Sequence, residues 1–221
     1  MKQGWLNKYK FAIGGVILIA AILVFKKLSK PKKTEMTLGN NSEDIGEGII
    51  VSTPVTKIDA YPLIVVFGGI SYATPKWIFA ETPKDLLSMG VVAFVPYTMS
   101  YVNAKKRIDN YLQTKKTEVN SISIIGFSAG ALNVQKVYEK TFKFVGLIDP
   151  SSRSEYVSLP FSNNVGMVYN DSNWGGYPEI KKTLPKLSKS IQDGGGDSEK
   201  VSLGHAKIPE YFFNKYKNKI V

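Results

Sequence analysis

The stretch Ile122-Ser-Ile-Ile-Gly126-Phe-Ser128-Ala-Gly130-Ala-Leu132 joins an apolar run to a helix-like pattern through the motif Gly-x-Ser-x-Gly. This order predicts a serine on a tight turn between a buried strand and a helix, where the two glycines leave room for the bend. The Ser128 hydroxyl would then lie beside the N–H groups that begin the helix. Because a free serine hydroxyl is a poor nucleophile, such a site also needs a base and donors for an oxyanion.

Buried strands and amphipathic helices alternate along the chain on both sides of this stretch. The predicted strands are residues 49–52, 63–67, 91–95, 122–125, 144–148, 165–169 and 200–203. The predicted helices are residues 75–89 with a break near Pro83, 104–116, 129–138, 180–191 with a kink at Pro185, and 209–217. This alternation predicts an α/β fold with a mostly parallel sheet that is flanked by helices on both faces.

An uncharged apolar run, residues 11–25, precedes the α/β region and follows a basic tail at residues 1–10. No small-residue cleavage site follows the run, so we predict one uncleaved transmembrane helix rather than a signal peptide. The run is shorter than the roughly 20 residues of a full span, but Trp5, Tyr9 and the flanking lysines suit the two interfaces. Residues 26–48 are then a flexible polar linker, and residues 49–221 form the α/β domain.

The formal net charge of +11 comes from the N-terminus. Eight of the 29 basic residues lie before Thr34, whereas all 18 acidic residues follow it. This placement favours anionic lipid headgroups over a nucleic-acid groove, so we expect a single-pass membrane protein and no nucleic-acid partner. Three lysines precede the apolar run and five follow it, which favours a cytoplasmic domain without deciding its side of the membrane.

The composition also limits the chemistry. The chain has no cysteine, which excludes disulfides, thiolate metal sites and cysteine nucleophiles. It has one histidine, His205, so a mechanism that needs imidazole has a single candidate and a multi-histidine metal site is excluded. Since no phosphate-binding loop or metal-ligand spacing is present, we expect no cofactor and no metal.

Residues that could carry chemistry fall where the predicted strands end. They are Gly68 and Gly69, Ser128, Asp149, Asp171 and His205, each after a different strand. Because ligand sites of open α/β sheets lie at the carboxyl ends of the strands, we expect these residues to meet at one edge.

The order Ser, Asp, His after successive strands, with an intact Gly-x-Ser-x-Gly, resembles the α/β-hydrolase superfamily from about Ile49 to the C-terminus. The resemblance implies Ser128 as the nucleophile and His205 as general base and then general acid. It also implies an oxyanion hole formed by the backbone N–H groups of Ala129 and of Gly69 or Ile70. Phe67 stands where the family often has a histidine before the glycine of that loop.

Two aspartates compete for the third place in the triad. Most of the family takes the acid after the strand at residues 165–169, which implies Asp171, although the usual Gly-x-x-Asp is Asn170-Asp-Ser-Asn173 here. Pancreatic-type lipases take it from a Leu-Asp-Pro after the preceding strand, which resembles Leu147-Ile-Asp149-Pro150. We favour Asp171, because its strand neighbours the one that leads to His205 in the expected sheet order, and keep Asp149 as the alternative.

The predicted sheet leaves no room for a cap domain, because only residues 151–163 separate Pro150 from the next strand region. We therefore expect a shallow, open site that is covered at most by short loops carrying Phe161, Trp174 and Tyr177. Such a site near a bilayer suits bulky or lipid-like acyl groups.

These features together favour a membrane-anchored serine hydrolase of the esterase/lipase type that cleaves carboxylic esters through an acyl-enzyme on Ser128. Peptidase, thioesterase or acyltransferase activity would use the same residues. The alternative is a non-catalytic α/β-hydrolase-like binding or structural protein that is tethered to a membrane.

Overall fold

The structure is a computed structural model that describes residues 41–71 and 73–221. The predicted basic tail, the predicted transmembrane helix at residues 11–25 and the first part of the predicted linker lie outside the described residues. Within the described ranges, no helix has the length and apolar character needed to cross a membrane.

An eight-stranded sheet forms the centre of the described domain. Its strands are β1 (Ser42–Asp44), β2 (Ile50–Ser52), β3 (Tyr61–Phe67), β4 (Val91–Val95), β5 (Val119–Phe127), β6 (Phe144–Ile148), β7 (Val165–Tyr169) and β8 (Asp197–Lys200). The spatial order is β1-β2-β4-β3-β5-β6-β7-β8. Strand β2 pairs antiparallel with β1 and β4, and every other neighbouring pair is parallel. The predicted mostly parallel sheet is confirmed.

Helices cover both faces of this sheet. They are α1 (Pro75–Glu81), α2 (Lys84–Met89), α3 (Tyr101–Lys115), α4 (Gly130–Lys136), α5 (Pro178–Asp193) and α6 (Ile208–Ile220). The predicted break near Pro83 is confirmed, because this proline separates α1 from α2. Pro185 lies inside α5, where the sequence predicts a kinked helical region.

Two apolar cores lie on opposite sides of the sheet, because successive strand residues point to opposite faces. In β3, Leu63 and Val65 belong to the core that α3, α4 and α5 cover. Ile64 and Val66 belong to the second core, which α1, α2 and α6 cover. This double burial explains why the central strands are continuous apolar runs.

The two edge strands of the sheet differ from the sequence prediction. Residues 42–44, which the sequence places in the flexible linker, form the edge strand β1. Both this strand and the turn after it contact α3, since Glu43 of β1 pairs with Lys115 and Glu47 of the turn pairs with Arg107. The last strand covers Asp197–Lys200 instead of residues 200–203. Its partly exposed polar side chains lack the apolar pattern that marks a buried strand.

The parallel strands β3 to β8 all end at one edge of the sheet, which we call the carboxyl edge. The loops after β3, β5, β6 and β7 lie there, and the segment after β8 leads to His205. The connection from β6 to β7 contains a single 3-10 turn, Ser154–Tyr156. The carboxyl edge is therefore framed by short loops.

Candidate active site

Ser128 lies on the turn between β5 and α4, as the sequence predicts. Its φ is 54°, a left-handed value that is uncommon for a residue other than glycine. Hydrogen bonds hold this geometry: its N–H donates to the carbonyl of Ile148 at 2.9 Å, and its carbonyl accepts from the N–H of Ser151 at 2.9 Å. The turn is therefore fixed by the loop that follows β6.

The two glycines of the motif allow close packing around this turn. A Cβ at Gly126 would lie 2.5 Å from the Cα of Ala131, and a Cβ at Gly130 would lie 2.3 Å from the carbonyl oxygen of Gly68. Both distances are far inside van der Waals contact, so any larger residue would push α4 away from the sheet. The motif thus has the strand–turn–helix context of a nucleophile elbow.

His205 contacts Asp149 at the carboxyl edge. The imidazole Nδ1 lies 2.5 Å from Oδ2 of Asp149, a residue with 0% exposure. An ionised carboxylate can only accept hydrogen bonds, so Nδ1 carries the proton that it donates to Asp149. In the neutral imidazole Nε2 is then the nitrogen that can accept a proton.

The buried Asp149 carboxylate receives further donors from the loop after β7. The backbone N–H of Asn170 donates to Oδ1 at 2.9 Å, and the side-chain amide of Asn173 donates to Oδ2 at 2.8 Å. A buried carboxylate is costly unless hydrogen bonds replace its lost hydration. Together with His205, these donors compensate the charge of Asp149.

The imidazole of His205 lies beside Phe127, the residue that precedes Ser128. Its ring centroid is 4.6 Å from that of Phe127, and Trp174 packs edge-on against it at 5.4 Å. Within the described ranges, no hydrogen bond joins the Ser128 hydroxyl to His205. Catalytic hydrogen bonds are often long in unliganded enzymes and tighten when substrate binds.

Asp171, which the sequence favours as the acid, does not contact His205. Its carboxylate accepts a hydrogen bond from Nζ of Lys200 at 2.8 Å. This bond lowers the pKa of Asp171 below its usual value. The physical reason is the 3-10 turn Asp171–Trp174, which begins directly after β7 and is capped by the side chain of Asn170. The preference for Asp171 is corrected: the structure pairs His205 with the alternative, Asp149.

The predicted oxyanion donors lie around the elbow, and they differ in whether the backbone N–H already has an acceptor. A Cβ on Gly69 would lie 3.0 Å from the Cβ of Ser128, so the loop after β3 packs against this serine. The Gly69 N–H already donates to the carbonyl of Ala73 at 2.8 Å. In the described part of the chain, the N–H groups of Ile70 and Ala129 have no such acceptor. Of the two predicted choices in this loop, the Gly69 N–H is therefore already engaged.

The three aromatic residues that the sequence predicts over the site do not all lie at the carboxyl edge of the sheet. Trp174 contacts His205, and Tyr177 packs edge-on against Trp174 at 5.9 Å while remaining 58% exposed. Phe161 is wrongly placed by the sequence prediction. It precedes β7, so it lies at the opposite edge, where it packs against Tyr138 and the backbone of Gly194.

Sequence reasoning missed the contribution of Asn173. The only available signal was the pattern Asn170-Asp-Ser-Asn173 in place of Gly-x-x-Asp, in which Asn173 occupies the place of the acid. No group of three or more His, Asp or Glu side chains suited to a metal ion occurs within residues 41–71 and 73–221.

No protein family and no curated protein matches this sequence. Its structure is similar to Est1E from Butyrivibrio proteoclasticus, with a TM-score of 0.53 and 13% identity over 78% of this chain and 93% of that one. It is also similar to the siderophore hydrolase EstB from Aspergillus nidulans, with a TM-score of 0.51 and 12% identity over 78% and 90%. The esterase domain of a Rhodothermus marinus protein gives 0.51 and 10% identity over 78% and 93%. At these identities the likeness concerns the fold, and this chain has the fold of the α/β hydrolases.

Proposed function

We propose that this protein is a serine hydrolase that cleaves carboxylic esters through an acyl-enzyme on Ser128. One observation carries the proposal: the buried carboxylate of Asp149 holds the chain's single imidazole beside the elbow that bears the serine. The fold that this chain shares with esterases supports the same reaction class.

The proposed reaction assigns one role to each group. His205 Nε2 removes the proton as Ser128 Oγ attacks the ester carbonyl, and Asp149 stabilises the imidazolium through Nδ1–H. The N–H groups of Ala129 and Ile70 stabilise the oxyanion. The carbon–oxygen ester bond then breaks, and the alcohol leaves with the proton from His205. Water attacks the acyl-enzyme by the same steps and regenerates the serine.

The proposed substrates are esters with bulky apolar acyl groups, lipids among them. Two large apolar side chains support this, Ile70 beside the elbow and Tyr177 beside Trp174, because both are more than half exposed at the carboxyl edge. Thioesterase, peptidase and acyltransferase activities use the same groups. Comparing oxygen esters of increasing chain length with a thioester and a peptide would rank these substrate classes.

We further propose that residues 11–25 anchor the domain to a membrane. The uncharged run between two groups of lysines supports this. The full chain should then resist carbonate extraction from membranes, whereas a chain starting at Asn41 should be released and should fold. The start is placed at Asn41 because β1 begins at Ser42. A mature N-terminus near Leu28 would instead indicate a signal peptide.

The alternative is a non-catalytic binding or structural protein on the same fold. Two observations favour it, the bonded N–H of Gly69 and the missing hydrogen bond between Ser128 and His205. A fluorophosphonate probe separates the two proposals. An active serine hydrolase should be labelled in the full chain and not in Ser128→Ala. Absence of labelling in a folded wild-type protein, together with absence of ester hydrolysis, would contradict the enzyme.

A further inference from the structure

One oxygen of Asp149 receives two donors from different loops. Oδ2 lies 2.5 Å from Nδ1 of His205 and 2.8 Å from the side-chain nitrogen of Asn173. A carboxylate oxygen has two lone pairs, so it can accept both bonds at once. The direction in which this oxygen faces His205 is therefore set partly by Asn173.

The same amide also contacts the segment that carries the histidine. The side-chain nitrogen of Asn173 lies 3.2 Å from the carbonyl oxygen of Leu203, two residues before His205. Asn170 donates to this carbonyl as well, at 2.9 Å. The side chains of Asn170 and Asn173 both donate to Leu203 and so join the loop after β7 to the segment after β8. Of these two side chains, only that of Asn173 also contacts Asp149, which Asn170 contacts through its backbone N–H.

We propose that Asn173 is a positioning residue that orients the Asp149 carboxylate and, through it, the imidazole of His205 toward Ser128. This inference rests on the proposed serine hydrolase function. Asn173 touches no reacting atom, so it acts only through Asp149 and Leu203.

Physical chemistry gives this contact a defined consequence. A hydrogen bond to a buried charge is stronger than one between neutral groups, and its loss leaves the carboxylate free to turn about its side-chain bonds. His205 would then lose its fixed acceptor, and Nε2 would face Ser128 for a smaller share of the time. Orientation of the base matters in the transition state more than in substrate binding, so the loss should appear in kcat rather than in KM.

The test compares full-chain Asn173→Leu and Asn173→Asp with the wild type. Leucine matches the size of asparagine without an amide, and aspartate keeps the shape but replaces the donor with a second carboxylate. We expect kcat for a nitrophenyl butyrate ester to fall about 10- to 100-fold, with KM changed less than about threefold. Melting curves followed by circular dichroism check that each variant folds. The values of kcat and KM are interpreted for each variant that folds.

A spectroscopic signal tests the geometry without using activity. His205 is the only histidine, so the downfield proton resonance of its Nδ1–H is unambiguous in the NMR spectrum. We expect this resonance to move upfield or broaden in both variants. A resonance at the wild-type place together with wild-type kcat would overturn the inference.

Two further variants separate positioning from a general effect on the loop. Asp171→Asn lies in the same turn but contacts Lys200, so it should leave kcat and the resonance unchanged. Asn170→Ala removes the bond to Leu203 and the side-chain cap of the turn at the Ser172 N–H, but it keeps the backbone bond to Asp149, so its loss should be smaller than that of Asn173→Leu. An equal or larger loss in Asn170→Ala would assign the effect to the loop and contradict the role of Asn173.

A double-mutant cycle completes the test. In the Asp149→Asn background the carboxylate is absent, so adding Asn173→Leu should lower kcat by less than about threefold further. Losses that multiply in full would show that Asn173 acts elsewhere. Probe labelling of wild-type Ser128 keeps the two failures distinct, because an unlabelled wild type contradicts the proposed function and a labelled one with unaffected variants contradicts this inference alone.

Discussion

The loops after β6 and β7 each present an aspartate at the carboxyl edge, and the two carboxylates have different surroundings. Asp149 is fully buried and contacts His205, Asn170 and Asn173. Asp171 is partly exposed and contacts the flexible cation of Lys200. The Asp149 carboxylate is buried and accepts three hydrogen bonds, whereas Asp171 forms an ion pair with an exposed lysine, which is usually worth little.

The difference comes from the backbone at the end of each strand. Asp149 has a left-handed φ of 38°, and its N–H donates to the carbonyl of Val168 at 2.7 Å. The chain after β7 enters a 3-10 turn instead, and this turn places Asp171 beside Lys200 on β8. Two aspartates after neighbouring strands therefore differ in role because one dihedral angle and one turn direct their side chains differently.

The comparison of the two aspartates bears on catalysis only if His205, which Asp149 contacts, acts as the base for Ser128. Removing either of these two residues should therefore have the largest effect. Ser128→Ala and His205→Ala should each lower kcat for ester hydrolysis by about 10⁶-fold, because members of a triad act as a unit. Steady-state kinetics on purified protein measures the loss. Ser121→Ala, near the partly buried start of β5, is the matched control and should keep wild-type turnover. Substantial hydrolysis in either site variant would remove the basis of the comparison.

The next largest effect should come from Asp149→Asn. The neutral amide stabilises the imidazolium less than the carboxylate does, and its NH2 group can donate to Nδ1 and so stabilise the wrong imidazole tautomer, so kcat should fall by up to about 10⁴-fold. The variant should still fold, because asparagine has the same shape. Measuring kcat of Asp149→Asn and Asp171→Asn under the same conditions decides which aspartate is the acid of the triad. A larger loss in Asp171→Asn would reverse the assignment of Asp149.

Asp171→Asn should have a small effect on both activity and stability. Its carboxylate lies at the surface and its partner is a lysine, so the free energy of unfolding should change by less than about 1 kcal/mol. Turnover should remain within about twofold of wild type, as expected for surface substitutions. Urea unfolding and ester hydrolysis measure the two quantities. A tenfold loss of kcat in stably folded Asp171→Asn would contradict the proposal that Asp149, and not Asp171, orients His205.

The smallest expected effect is the pH dependence of the Asp171–Lys200 pair. The hydrogen bond from Lys200 lowers the pKa of Asp171 in the folded state. The pair therefore stabilises the fold above the unfolded pKa of about 3.9, and this contribution disappears as the pH falls through the lower folded pKa. Lys200→Met should have a slightly lower urea midpoint than wild type at neutral pH and should match it in strongly acidic buffer.

A double variant isolates the interaction between Asp171 and Lys200. In the Asp171→Asn background, Lys200→Met should have little further effect at neutral pH, because the charge it pairs with is gone. A pH-independent difference between wild type and Lys200→Met would show that Lys200 stabilises β8 by packing instead.

The sequence by itself determined the architecture and the nucleophile's setting. Helix and strand periods are local, so the alternation of apolar runs located the buried strands and most helices. The Gly-x-Ser-x-Gly motif is recognised from its own residues, and Gly126 is needed because Ala131 lies within the same turn, whereas Gly130 is needed because the carbonyl of Gly68 lies against it. A single histidine left no choice for the imidazole. The order of strand, motif and helix is a local pattern, and the structure agrees with it.

Only the tertiary structure decided which groups meet. Asp149 and His205 are 56 residues apart, and their contact depends on a strand-end dihedral angle and on two loops that the sequence pattern does not orient. The bonded N–H of Gly69 and the amide of Asn173 on Asp149 depend on loop geometry in the same way. The polar edge strand β1 escaped prediction because a half-exposed strand carries no apolar pattern. Periodicity reports which face of an element is buried, whereas the direction of a loop side chain is set by contacts with distant parts of the chain.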